Sequence, residues 1–289
     1  MRATSHDFKD NAHGALADAQ LQSALAKMKE GFPEKRRQAV ERLPEFEQLR
    51  EAGKRIKDHV LAHLDWYLER FETNVRAAGG EVHWARDAEE ARRIVLAICR
   101  EKGARTVPKG KTMIAEEIGL NDFLAENGVE PVETDLGEYI IQIRNEPPSH
   151  IIAPAIHLVK EQVEASFRAT HVALDPARPL DEARALVAEA RQVLRPRYFE
   201  ADIGITGANF LGAESGSSVI VTNEGNGDLT QLLPKAHVVL ASLEKIVPTL
   251  EDMATLLRLL ARSATGQDMS VYTTVSTGPR RAGDGDGPA

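Results

Sequence analysis

The chain has 289 residues, 42% of them hydrophobic and 28% charged, with 36 Lys and Arg against 44 Asp and Glu for a formal net charge of −8. That apolar content supports a large core without covalent staples, and the acidic balance argues against a nucleic-acid surface, which needs a basic stripe to neutralise phosphates. The single cysteine, Cys99, excludes an intramolecular disulfide and any iron–sulfur cluster or cysteine-rich zinc site built from this chain alone.

The N-terminal segment, with His6, Asp7, Lys9 and Asp10, lacks the apolar run of a secretory signal. No stretch approaches the ~18 apolar residues of a membrane span, so a cytoplasmic protein is expected. Residues 15–78 are rich in Ala, Leu, Glu, Lys and Arg and read as helix, with breaks expected near Gly31–Pro33 and at Pro44. From Pro44 through Leu49, Ile56, Val60, Leu64 and Phe71 an apolar stripe persists beyond the usual helix length, until Gly79 and Gly80 end it. Such a stripe describes a helical arm docked on the rest of the chain or on a second copy.

The pattern then alternates. Residues 81–84 form a strand candidate, and Asp87 caps a helix with Glu90 three positions on and Ala91, Ile94, Val95, Ile98 and Cys99 on one face. Cys99 is thereby a packing residue rather than a reactive thiol. Strands are expected at 104–107, 129–134, 149–153, 201–206, 217–222, 237–241 and 271–275. Helices are expected at 112–126, 156–170 and 180–194, the last with Leu186, Val187, Ala190 and Leu194 inward. Thr249 caps a final helix whose stripe is Met253, Leu256, Leu257 and Leu260, with Gly266 beyond its end. Alternation of this kind predicts an α/β fold, a mostly parallel sheet flanked by helices, with an N-terminal helical arm. The domains are set at 1–80 for the arm, 81–278 for the α/β domain, and 279–289 for a Gly-, Pro- and Asp-bearing linker.

Three blocks carry candidate chemistry. The first, KGKTMIAEEIGLN from Lys109 to Asn121, follows a strand and opens a helix, where backbone amides can hold an anion. It lacks the Walker spacing and could equally be a lysine-rich turn, with Glu116 and Glu117 favoured in a helical first turn. The second, ETDLGEY, places Asp135 and Glu138 at a strand exit, where they could grip a hydroxyl or cation or simply form a polar turn. Nearby, His157 at an expected helix start could serve as donor or base, or as a cap. The third runs from Gly204 to Gly227 and is dense in glycine, with Asn209, Glu214, Ser215, Thr222, Asn223, Glu224 and Asn226 around it. Glycines at this density mark tight turns or a close approach of backbone to ligand. The nine histidines are scattered and form no metal-binding set.

Taken together, KTMIAEEIGLN, ETDLGEYIIQ, EPPSHIIAPAIH, GITGANF, AESGSSVIVTNEGNG and VYTTVSTGPRR resemble the lactate-utilisation protein B family across essentially the whole chain. The resemblance implies a fold similar to the superfamily of sugar-phosphate isomerases and CoA transferases. It also implies a longer protein, in which the linker leads to a C-terminal ferredoxin-like domain with two [4Fe–4S] clusters. Sibling subunits A and C would be partners in oxidising L-lactate to pyruvate. By the same resemblance Glu214, in a Glu-Ser-Gly turn, falls where CoA transferases place a nucleophilic glutamate. Two readings stay open. One is a non-catalytic docking domain of an electron-transfer complex, with its arm able to pair copies. The other is a small-molecule enzyme or binding domain using Glu214 and the 223–226 loop. In either, the loops at 109–117, 135–138, 209–215 and 223–226 are expected to converge on one cleft, with Glu214 and Glu224 nearest the ligand. Lys109 and Lys111 would attract a small carboxylic acid.

Overall fold

The structure, a computed structural model, describes residues 5–150, 153–285 and 287–288. Helices α1 (Phe8–Ala17), α2 (Ala19–Glu41), α3 (Phe46–Ala62) and α4 (Leu64–Ala77) form the N-terminal third. The break at Pro44 is present, but α2 runs unbroken through Gly31 and Pro33. Pro33 forgoes one backbone hydrogen bond, a local cost that the rest of a 23-residue helix absorbs. The long stripe is divided at His63 between α3 and α4. It does dock on the body: Val60 and Tyr67 pack with Leu211 and Ile246, and Ile56 meets the cluster of Phe210, Val219, Val247, Met253 and Leu256. By contrast α1 buries no residue and leaves Phe8 and Leu16 exposed.

Residues 81–84 are in no strand, because no neighbouring strand offers them a ladder. Helix α5 (Ala88–Glu101) follows, and Asp87 accepts a hydrogen bond from the Glu90 amide as its cap. A parallel sheet is then built from β1 (Thr106–Gly110), β2 (Glu130–Glu133), β3 (Ile203–Thr206) and β6 (Ala236–Val239), in the order β2-β1-β3-β6. The expected helix at 112–126 is two pieces, α6 (Met113–Glu117) and α7 (Leu120–Glu126), separated where Gly119 turns left-handed at φ 65°. Helix α8 (Leu136–Arg144) occupies the segment read as an acidic turn, and Asp135 caps it through the Gly137 amide at 2.9 Å. The expected strand at 149–153 includes residues 151–152, which lie outside the described residues, and its described residues 149, 150 and 153 are in no strand.

Helix α9 spans Lys160–Thr170 and α10 spans Ala183–Phe199. Leu186, Ala190 and Leu194 face the core as expected, whereas Val187 is 52% exposed, one residue round the helix from the buried stripe. A second sheet, ordered β7-β4-β5-β8, contains β4 (Phe210–Gly212), β5 (Ser217–Thr222), β7 (Ile246–Val247) and β8 (Tyr272–Ser276). Its β4–β5 and β5–β8 pairs are antiparallel, so part of the glycine-dense block is a hairpin. Helix α11 (Asn226–Leu232) and α12 (Leu250–Thr265) complete the fold, the latter capped by Thr249 and closed by left-handed Gly266.

Register explains the layers. In the parallel pair β1–β2, Val107 aligns with Pro131, Pro108 with Val132, and Lys109 with Glu133. Successive residues point to opposite faces. Val107 therefore packs with α5 and α7 through Val95, Leu96, Cys99, Leu120 and Leu124. Val132, on the other face, packs with Tyr139, Ile140, Phe167 and Leu186. Lys109 and Glu133 inherit the first face at the carboxyl ends of their strands.

Candidate ligand cleft at the carboxyl edge of the parallel sheet

The chain moves from β1 out to β2 and then back across to β3 on the other side of β1. The carboxyl ends of β1 and β3 thus flank the switch point where open α/β sheets bind ligands. Lys111, directly after β1, sits in the left-handed region at φ 57°, which a non-glycine residue seldom adopts. Gly207, directly after β3, lies so close that a Cβ there would stand 2.4 Å from the Lys111 carbonyl oxygen. Only glycine permits the two loops to touch.

A cleft of about 670 Å³ opens here, within the usual range for small-molecule sites. Its wall includes Lys111, Glu117, Glu138, Asn209, Thr222 and Asn223, with Met113, Ile114 and Leu240 among its apolar members. Beneath it, Lys109 is 1% exposed and bonds Glu133 at 2.6 Å and Glu116 at 2.9 Å. Burial disfavours its charge, but Glu133, Glu116 and Glu138 outweigh that and hold the ammonium above the usual lysine range. It is a fixed cation and not an amine nucleophile. Asn121 donates to Glu133 at 2.7 Å. Burial and the neighbouring Glu133 charge push Glu138 up to about 8, within hydrogen-bond reach of Glu133.

Lys111 is ion-paired with Asp135 and, at 2.7 Å, with the exposed Glu224. Its attraction for an anion is already met within the chain; a carboxylate ligand must take the place of Glu224, its solvent-exposed partner. Asn226 donates to the Thr134 carbonyl at 3.2 Å, tying α11 to the exit of β2. Among buried side-chain oxygens of the described residues, Asn121 Oδ1, Glu133 Oε2, Glu138 Oε2, Thr222 Oγ1 and Asn226 Oδ1 have no hydrogen-bond partner. Buried polar atoms are nearly always paired, so a concentration of orphans beside one cleft points to a ligand.

The structure thus brings together Lys109, Lys111, Glu116, Glu117, Asp135, Glu138, Asn209, Asn223, Glu224 and Asn226. It does not bring Glu214, Ser215 or His157 to them. Glu214 lies in the turn beyond β4, at the opposite end of that strand from Asn209. Its carboxylate accepts from the Leu250 amide at 2.6 Å at the start of α12, and the backbone of its turn is held by Asn74 of α4. Ser215 bonds Ser217 at 2.8 Å in the same hairpin. His157 precedes α9 by three residues instead of starting it, and its ring bonds Ser149 and Glu146. Sequence reasoning placed Thr222 among the polar groups of the glycine-dense block but did not single out Glu133. A charged residue closing an apolar strand was the signal for Glu133, but only the register reveals Lys109 beside it.

Comparison with known proteins places the chain in a family. A family model described as the LUD domain matches residues 68–287. The chain belongs to the LUD-domain family. It is 43% identical over 289 residues to proteins named lactate utilization protein B from Lysinibacillus sphaericus (strain C3-41) and Geobacillus sp. (strain WCH70), covering all of this chain and 60% of each of them. It is also 40% identical over 288 residues, again 60% of the relative, to an uncharacterized electron transport protein, YkgF, of Escherichia coli (strain K12). The chain therefore spans about 60% of the length of these relatives. No solved structure matches it significantly. Among the described residues, no helix is long and apolar enough to cross a membrane, and no group of three or more His, Cys, Asp or Glu is placed to hold a metal ion.

Proposed function

We propose that this chain is the ligand-binding and docking α/β domain of a lactate-utilisation protein, working with sibling subunits A and C in the cytoplasm to oxidise L-lactate to pyruvate. Electrons would pass through two [4Fe–4S] clusters outside these residues, on a C-terminal domain reached through residues 279–289. A cluster does not fit here: it needs several thiolates, and Cys99 is alone, fully buried, with its thiol pushed up to about 11 by burial. The names of the relatives support the lactate and electron-transport parts of this reading.

The observation that carries the local role is the cleft at the β1/β3 switch point, lined by Lys111 in a strained conformation. Lys111, freed from Glu224, would hold the carboxylate of a hydroxy or keto acid, while Glu138, Thr222 and Asn209 would meet its hydroxyl or carbonyl oxygen. Backbone amide NMR shifts recorded while adding L-lactate, pyruvate, an acyl-CoA or a sugar phosphate test this. Saturable shifts at Thr112, Asn209 and Thr222 with lactate or pyruvate, lost in Lys111→Met, are expected. Shifts confined to residues 214–216 with acyl-CoA alone would instead favour a transferase built on Glu214.

A further inference from the structure

The buried group under the cleft cannot carry its full complement of charges. One ammonium, Lys109, faces three carboxyls, those of Glu116, Glu133 and Glu138, and Lys109 and Glu133 are 1% and 2% exposed. The carboxyls of Glu133 and Glu138 lie within hydrogen-bond reach of each other, yet each retains one buried oxygen without a donor. Two carboxylates cannot bond; a carboxylic acid and a carboxylate can. Placing one proton between them supplies the missing donor and lowers the buried charge by one. Thr222 is an independent sign that this wall awaits a ligand: it is 4% exposed, it lines the cleft, and its hydroxyl has no partner.

We infer that Glu133 and Glu138 form a single-proton carboxyl pair held over Lys109 in the free protein, and that on binding Glu138, the member on the cleft wall, turns that proton from Glu133 to the ligand, donating with Thr222 to its hydroxyl or carbonyl oxygen while Glu133 stays ion-paired with Lys109. Recognition is then linked to protonation. The groups around Glu138 are Glu133 and Lys109 from the sheet, Glu116 and Glu117 from α6, and Asp135 at its own helix cap, with Lys111 and Glu224 beyond Asp135. The carboxylates raise its proton affinity, and Lys109 limits the rise. The inference rests on the acid-binding reading of the cleft only for the identity of the ligand.

Two measurements on the full chain test it. Carbon-13 NMR of glutamate-labelled protein follows every carboxyl from pH 4 to 10. One resonance should titrate near 8 and vanish in Glu138→Gln, which keeps a neutral donor toward Glu133; if all glutamates titrate below about pH 6, the proton pair does not exist. Calorimetric titration with pyruvate and with L-lactate then reads the linkage. Wild type should lose about tenfold in affinity per pH unit above 8, Glu138→Gln should bind with no such loss, and Thr222→Val should bind more weakly at every pH. Affinity that ignores pH through the NMR transition would overturn the linkage. A pair seen by NMR with no binding of either acid would uphold the pair and overturn the acid-binding reading.

Discussion

Helix α8 carries two adjacent residues into two different buried ionic networks. Glu138 joins Lys109, Glu116 and Glu133 under the cleft, and Tyr139 joins His171, Glu189 and Arg178 between α9 and α10. The second network is complete. Tyr139 bonds His171 at 2.8 Å, His171 bonds Glu189 at 2.7 Å, and Arg178 grips Glu189 through Nε at 2.5 Å and Nη2 at 2.8 Å. It has a cation for its carboxylate, and neither oxygen of Glu189 is orphaned. The first has an excess of carboxyls and orphaned oxygens. A hollow of about 370 Å³ also borders Arg178 and Glu189, so proximity to a cavity does not separate the two networks. Satisfaction does. A closed network fixes helices in place, and an open one beside a cleft is arranged for something that comes and goes.

The contrast should break first at Lys109. Lys109→Met leaves Glu133 buried without its cation, a change that costs about 3–5 kcal/mol when a buried pair loses one partner. Urea unfolding of Lys109→Met and of the double variant with Glu133→Gln should show the double variant recovering part of the loss. Equal destabilisation would mean that the two do not act as a pair. Arg178→Met should cost less, because His171 still faces Glu189 and the site is nearer solvent. Crucially, it should leave lactate and pyruvate binding unchanged, and a loss of binding in this variant would erase the distinction between the networks. The smallest effect is expected far from both: Thr249→Ala removes the hydroxyl that accepts from the Asp252 amide and should cost about 1 kcal/mol, read as a lower urea midpoint.

Much of this framework was readable from local chemistry. The caps Asp87 and Thr249 and the stop at Gly266 depend on residues a few positions apart, so pattern suffices to locate them. The loops after β1, β2 and β3 were likewise visible as Lys-Gly-Lys, Asp-Leu-Gly-Glu and Gly-Ala-Asn punctuation. Helix α8 was hidden because Asp135, Gly137 and Glu138 look like a turn, although Tyr139, Ile140 and Ile141 are buried behind them. The strand expected at 81–84 has a suitable pattern but no partner, a fact that only tertiary structure supplies. The same holds for the site. Lys109 and Glu133 are 24 positions apart and meet through parallel register, whereas Glu214, close in sequence to Asn209, is carried away by β4 and spent on the start of α12.

The open network makes its most direct claim in the pH dependence of stability. Burial and Glu133 raise Glu138 to about 8 in the folded chain, against 4.5 for an ordinary glutamate. The folded state therefore holds a proton that the unfolded state has released between those values. The stabilisation is fully present below about pH 4.5 and is lost as pH rises toward 8. Urea unfolding of wild type and Glu138→Gln, measured side by side from pH 5 to 9, isolates this one group. Between pH 5 and 7.5 the stability of wild type should fall relative to the variant by about 1.4 kcal/mol per pH unit, one proton's worth, and level off above 8. Parallel pH profiles for the two proteins would contradict the account, because Glu138 would then carry no proton in the folded state that it lacks in the unfolded one.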